Sequence, residues 1–539
     1  MKQKKQGNSR FAANIILACI LVLGLYLSLG FFYGPSWTNG SDDYIYAQAG
    51  RAYSVGNFTD KGVGTIHIRY LLYAGIAIFV KIIGYSQLSL SMFGVFAFIM
   101  TVLLIYLIGK RLCNVGTGLI AAFTYAIFPL VAIQAPIVGD VVPMTFFLTL
   151  AVFLVIEGMS RRKQQYAFFA IAGIVSLVNF LVSPEALIGA LFLAVVMGLY
   201  FAYYRDRRSG ACALSYFAGA AAGVGIILLI SLLHTGSILY LFRGEDLASL
   251  GIRSPSFGVF TQFMFPNNLI SKTLTSSFVL SPSMPNLVLL FQEYANLGPT
   301  AEFKFFGFFG YAAVLCLAYL LIAKEKRAII PALWLAITLI YLGYGSQGIS
   351  SYAFIVPYAR YEVIFAPAIA LIVGMALMRI IEFSKANRGY TGFACMLFVD
   401  IVLLTLLVTS ASTIRSFGLS EYYGTHPLVQ IGSYLDALPD NALIVGPADV
   451  PWITYVNSQH SNTISTGPIM LEETCAEIQD PFGKDIPNGT YFVGPASGNF
   501  SACGFREVYE ASAPVGWTSP YDLYWAMNFY NVSVYRKAA

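Results

Sequence analysis

Apolar residues run along this chain in blocks rather than in strict alternation. Eleven blocks read as spanning helices, at about 11–33, 88–109, 115–137, 141–158, 166–182, 185–203, 211–233, 304–323, 328–345, 360–381 and 391–412. Each approaches the roughly 20 residues that carry a helix across a hydrocarbon core about 30 Å thick. A further apolar block, 68–84, has Arg69 near one end and Lys81 near the other. The basic segments decide how to read it. MKQKK, Lys110-Arg111, Arg161-Arg162-Lys163, Arg205 to Arg208, Lys324 to Arg327, and Lys385 with Arg388 all fall on one side if only the eleven blocks cross. Cytoplasmic loops collect Lys and Arg, so 68–84 is expected to lie at the interface or re-enter. The first block is too long for a signal-peptide core and shows no clear small-x-small cleavage site, so it reads as a retained helix.

The pattern changes at about 414. Apolar content falls, "HPLVQIGSYLDAL" keeps helical spacing, "NALIVGP" and "TYFVGP" read as short buried strands, and "YNVSVYRK" alternates like a closing strand. The expected fold is therefore an all-α polytopic bundle over 1–413 with a small α/β domain over 414–539. Composition agrees. The chain is 57% hydrophobic and only 11% charged, with mean hydropathy +0.69, whereas soluble domains carry roughly 25% charged residues. An integral protein of the plasma membrane is expected, its N-terminus cytoplasmic. The segments 34–87 and 234–303, the turn at Asp140 and the tail then lie outside. All Asn-x-Ser/Thr sequons (Asn39, Asn57, Asn488, Asn499, Asn531) fall there. Of seven Cys, only Cys475 and Cys503 lie in the tail, and a lone pair in an external domain suggests a disulfide. The 234–303 segment is too long for a mere connector.

The outer face then gathers Asp42, Asp43, His67, Arg69, Lys81, Asp140, Arg360 and Glu362. Acids and cations together on a hydrophobic bundle suit transfer from an anionic lipid. A carboxylate can take the proton of an acceptor hydroxyl, and a fixed cation can hold a phosphate leaving group. Against this stands the plainer reading of Asp42 and Asp43 as solvated loop acids. The chain has no phosphate loop, no HExxH, and no GxGxxG opening a strand–helix unit. Its four His are scattered. The main intramembrane acid is Asp400, either functional or packed and hydrogen-bonded.

The stretch "DDYIYAQAGRAYSVGNF" resembles the first external loop of GT-C glycosyltransferases, in the group of protein mannosyltransferases and lipid A aminoarabinose transferases. Asp42-Asp43, Tyr46-Ala47, Ala49 and Gly56-Asn57 match that loop. "YAGIAIFVKIIGYS" resembles its juxtamembrane segment. Asp140 falls at its second acid, and "PYARYEVIFAPAIAL", with Arg360-Tyr361 and Pro367, resembles its Arg-Tyr helix start. The resemblance implies a polyprenyl- or dolichyl-linked sugar donor and an inverting transfer to an acceptor hydroxyl of a protein, lipid or polysaccharide. Asp42 would be the base, with Asp43 and Asp140 in support. Tyr46, His67, Arg69, Lys81, Arg360 and Tyr361 would bind substrate. Where the family has Pro-Pro the chain has "HIRYLL", and "SPEAL" at 183–187 lacks a basic residue found in some members. No metal is required in principle, because cations can do that work; a divalent ion between Asp42 and Asp140 is the alternative. No nucleic acid partner is expected. The rivals are an oligosaccharide transferase using a diphosphate lipid, and a non-catalytic flippase or receptor.

Overall fold

The computed structural model describes residues 2–30, 42–58, 69–161, 164–236, 308–344, 363–387, 389–439, 442–446, 463–465, 488–495, 500–501, 504–512 and 531–537. His67, Arg360, Tyr361, Glu362, Cys475, Cys503 and the 237–303 part of the long outer segment lie outside these residues.

Helix α1 (Lys2–Leu29) is followed by α2 (Asp42–Ser54) and α3 (Tyr70–Ile83). Helix α3 has 14 residues, about 21 Å at 1.5 Å per residue, which is short of a bilayer. It buries Leu72, Tyr73, Ile76 and Val80 and exposes Ile78, Lys81, Ile82 and Ile83. Helix α2 lies close against it at Gly50, where an added Cβ would stand 2.4 Å from Ile76 Cγ2. Next come α4 (Gln87–Leu112), capped by a reciprocal Ser86–Ser89 pair, and α5 (Val115–Ala126), capped by Asn114. The block 115–137 is not one helix. Ile127 and Phe128 interrupt it, and Pro129 opens a separate short helix, α6 (Pro129–Gln134). Proline has no N–H and fits the first turn, not the interior.

Helix α7 (Val141–Ser160) runs beside α4 and α8 (Gln165–Val178). Two 3₁₀ turns, Asn179–Leu181 and Pro184–Ala186, lead into α9 (Leu187–Tyr204) and α10 (Arg207–Thr235). Helices α8 and α10 meet through Gly173 and Gly219; a Cβ on either would fall within 2.1 Å of a backbone oxygen of the other helix. Small residues let membrane helices approach in this way. Helices α11 (Phe308–Ile322), α12 (Ile329–Tyr344) and α13 (Ala366–Ala386) complete the bundle. Helix α13 is its centre, with 78% of its apolar window buried. Trp334 of α12 stacks on Phe192 of α9 at 5.7 Å.

Among the described residues seven helices are long and apolar enough to cross a membrane. They are α1, α4, α7, α9 with its leading 3₁₀ turn, α10, α13 and α14 (Tyr390–Asp436). The blocks at 115–137, 166–182, 304–323 and 328–345 form shorter helices. Helix α14 has 47 residues, about 70 Å, and so runs past any bilayer. Its far end packs on a mixed sheet of order β2-β1-β3-β5-β4: β1 (Ile444–Gly446), β2 (Thr463–Ser465), β3 (Tyr491–Pro495), β4 (Phe505–Ser512) and β5 (Asn531–Lys537). Strand β1 pairs parallel with β2 and β3, and β5 pairs antiparallel with β3 and β4. The three strands read from "NALIVGP", "TYFVGP" and "YNVSVYRK" are β1, β3 and β5. Tyr434 of α14 stacks on Tyr509 of β4 at 4.6 Å, and Phe492, Phe500, Phe505 and Tyr535 fill the sheet's core.

Candidate active site

Asp42 and Asp43 do not sit in an open loop: they are the first two residues of α2. Unpaired amides and the helix dipole favour anions there. Tyr46 follows Asp42 by four residues, and positions so spaced share a helix face. Tyr46 is fully buried, with its ring under the Arg69 guanidinium at 4.9 Å from the ring centroid. Tyr73 of α3 stands beside it at 6.3 Å.

Arg69 immediately precedes α3 and points inward, only 6% exposed. Its guanidinium donates to Asp140, the residue that precedes α7 and is 4% exposed. The two are 71 positions apart in the chain. A charge this deep needs a partner, and each is the other's. Asp140 makes no capping bond to its own helix, so its carboxylate faces across to α3. The Ser183 hydroxyl lies 2.6 Å from the same Asp140 oxygen, Oδ2, and also contacts Glu185 Oε2. Asn179, one turn earlier and buried, donates 2.9 Å to the Met144 carbonyl and ties this corner to α7. Asp140, Arg69, Ser183 and Glu185 thus converge at one end of the bundle, with Tyr46 of α2 beneath.

An aromatic wall stands beside them. His234, in the last turn of α10, stacks on Tyr70 at 4.3 Å, with Tyr53 and Phe58 each at 6.1 Å. Burial, with the neighbouring Tyr70, raises the Tyr53 hydroxyl's pKa, and burial raises that of Tyr70. Both stay neutral hydroxyls at physiological pH.

Lys81 is not part of this group. It is exposed near the far end of α3, twelve residues or about 18 Å from Arg69 along the helix. Ser183 and Glu185 escaped the sequence reading, which took "SPEAL" only as lacking a basic residue. The signal that could have found them is a polar pair at the turn between two apolar blocks, on the face assigned to Asp140.

The described side chains bring no complete set of divalent-ion ligands together; those of Asp42 and Asp43 lie outside them. Asp140 Oδ2 already meets a guanidinium and a hydroxyl, and the first turn of α7 adds Val141, Val142 and Pro143 with no further ligand. No three His, Cys, Asp or Glu converge among the described residues, and such sites take several.

Residues 71–187, which include Asp140, Ser183 and Glu185, match the family model described as dolichyl-phosphate-mannose-protein mannosyltransferase. No curated protein sequence matches the chain. Among solved structures, ArnT from Cupriavidus metallidurans bound to undecaprenyl phosphate is similar at TM-score 0.56 and 11% identity, over 97% of both chains. The oligosaccharyltransferase of Archaeoglobus fulgidus, in complex with Zn and sulfate, is similar at TM-score 0.56 and 14% identity, over 89% of this chain and 68% of that one. Its complex with an inhibitory peptide and a dolichol-phosphate gives 0.55 at 13% identity, over 90% and 70%. The chain has the GT-C fold of these solved structures, and its residues 71–187 resemble the mannosyltransferase family model.

Proposed function

We propose that this multi-pass membrane protein of GT-C fold moves a sugar from a polyprenyl- or dolichyl-phosphate lipid to an acceptor hydroxyl on the external face, with inversion at the anomeric carbon. The observation that carries the reading is the buried Arg69–Asp140 pair, next to the helix that opens with Asp42 and Asp43. Asp42 takes the proton of the acceptor hydroxyl as that oxygen bonds the anomeric carbon. The bond from that carbon to the phosphate oxygen breaks, and its electron pair leaves with the phosphate. Positive charge placed where the leaving group gains negative charge lowers the barrier. Arg360, with Tyr361 beside it, is assigned to the phosphate. Arg69 is assigned to hold Asp140 in place, with Asp43 and His67 in support.

Similarity over nearly the whole of both chains favours the ArnT-like arrangement. The second reading, transfer of a whole glycan from a diphosphate lipid, rests on the likeness to the archaeal oligosaccharyltransferase. Purified protein offered monophosphate- and diphosphate-linked donors separates the two. Mass spectrometry of cell-surface glycans with and without the gene, and with Asp42→Asn in its place, tests the activity itself. Loss of one defined hexose or pentose unit in both the deletion and the variant supports transfer. Unchanged glycans in the deletion refute it.

A further inference from the structure

Asp400 is the eleventh residue of the 26-residue apolar stretch Tyr390–Arg415 of α14. Either end of that stretch is about 15 Å or more away along the helix axis. A short aspartate side chain cannot reach water over that distance as Lys and Arg do. The buried stripe of the helix runs through Val399, Leu406, Ser410 and Ile414, while Asp400 is exposed. Among the described residues it has neither a hydrogen bond nor an ion pair. An acid facing hydrocarbon is costly whether ionised or protonated, because either form leaves polar atoms unmatched. A bundle in a bilayer therefore needs something over this face.

The same face shows what fits. Only 17% of the apolar window of α14 is buried. Phe393, Leu397, Asp400 and Leu404 succeed one another at spacings of four, three and four. Phe393, Leu397 and Leu404 are 68%, 47% and 60% exposed. Alternating four and three is the 3.5-residue repeat by which two helices pack in register. One polar residue at a single core position of such a seam fixes that register. A carboxyl group is also its own complement. Two of them in contact cannot both ionise, and sharing a proton gives a short charge-assisted bond.

We propose that the outer face of α14 is a dimer interface: a second copy of this chain packs its α14 in parallel, and the two Asp400 side chains meet through a shared proton. The contact is isologous, the same patch on both copies, so it closes at two chains. It lies apart from the Arg69–Asp140 site and does not depend on the reaction assigned to that site.

The test uses the full chain in lipid bilayers, with subunits counted by single-molecule photobleaching. The wild type is expected to be dimeric. Asp400→Leu makes the helix easier to insert, so it does not threaten folding. It is expected to weaken dimerisation roughly tenfold, the scale of one polar contact between membrane helices. Asp400→Lys should be monomeric alone but pair with co-expressed wild type. Leu404→Cys, in a Cys395→Ser background, should cross-link to its own copy on oxidation. A monomeric wild type overturns the proposal, as does a dimer unmoved by Asp400→Leu. Failure of Asp400→Lys to pair with wild type would place another molecule on this face.

Discussion

Helix α7 buries a carboxylate at each end, and the two ends treat it differently. At the N-terminal end Asp140 meets Arg69, with side chains 5% and 8% exposed. Near the C-terminal end Glu157 is as deep, at 4%, but its partners Arg111 and Arg161 are 46% and 50% exposed. Arg111 holds both Glu157 oxygens at 2.7 Å, and Arg161 adds a bond at 2.5 Å. A carboxylate there opposes the helix dipole, and two arginines offset that. Because those arginines remain half in water, the cluster neutralises one buried charge at small desolvation cost. At the other end both charges have left water, an arrangement that adds little or nothing to stability against an apolar replacement. Stability alone accounts for the Glu157 fan. It does not account for Asp140 and Arg69, and that difference is what singles out the N-terminal end as the proposed site.

The largest effect is expected from Asp140→Asn. It leaves Arg69 buried without its counter-charge, a loss of roughly 3–5 kcal/mol, and transfer should stop. Thermal unfolding in detergent, run beside the glycan assay, checks both. A variant as stable as wild type would mean the pair is solvated, and the contrast with Glu157 would collapse. Asp42→Asn comes next: turnover about 10²–10⁴-fold lower, the range for a lost general base, with stability and donor binding kept. Asp43→Asn should cost less. Near-normal turnover in Asp42→Asn together with a stable but inactive Asp140→Asn would move the base to Asp140.

Glu157→Gln should show the reverse. We expect it to lose about 1–3 kcal/mol as good charged hydrogen bonds are exchanged for weaker ones, with turnover at saturating donor unchanged. A fall in turnover without loss of stability would make the basic end functional too. Arg161→Ala is the smallest change, about 0.2–1 kcal/mol, since Arg111 still grips both oxygens. An effect several times larger in unfolding experiments would show that the half-exposed arginines are less solvated than they look.

Much of the architecture was legible because a bilayer imposes length and charge rules on sequence. Blocks such as 88–109, 141–158 and 391–412 could be read from run length alone. The charge rule gave the interfacial reading of 68–84, where the structure has a helix of 14 residues. The block 115–137 was misread because its run of apolar residues hides a break; Pro129 is the one sign of it, and a proline can also sit in a kinked span. Helix α14 crosses the position taken as a domain boundary at 414 without interruption, since a helix leaving the membrane need not end where its apolar content falls.

The sequence by itself determined that the chain is a membrane bundle, that acids follow the first span, and that a second acid stands at Asp140. These follow from local rules, run length and residue type, which need no partner. Only the tertiary structure decided which charges meet. Arg69 and Lys81 looked equivalent along the chain, yet one is sealed against Asp140 and the other faces out near the far end of the same helix. Ser183 joins them from 43 residues beyond Asp140. Asp400 could have been a packed core acid and is instead turned outward. Burial and pairing depend on how helices rotate and cross, and those angles are set by small contacts between distant residues, such as Gly50 on Ile76 and Gly173 against the backbone of α10, which no local pattern records.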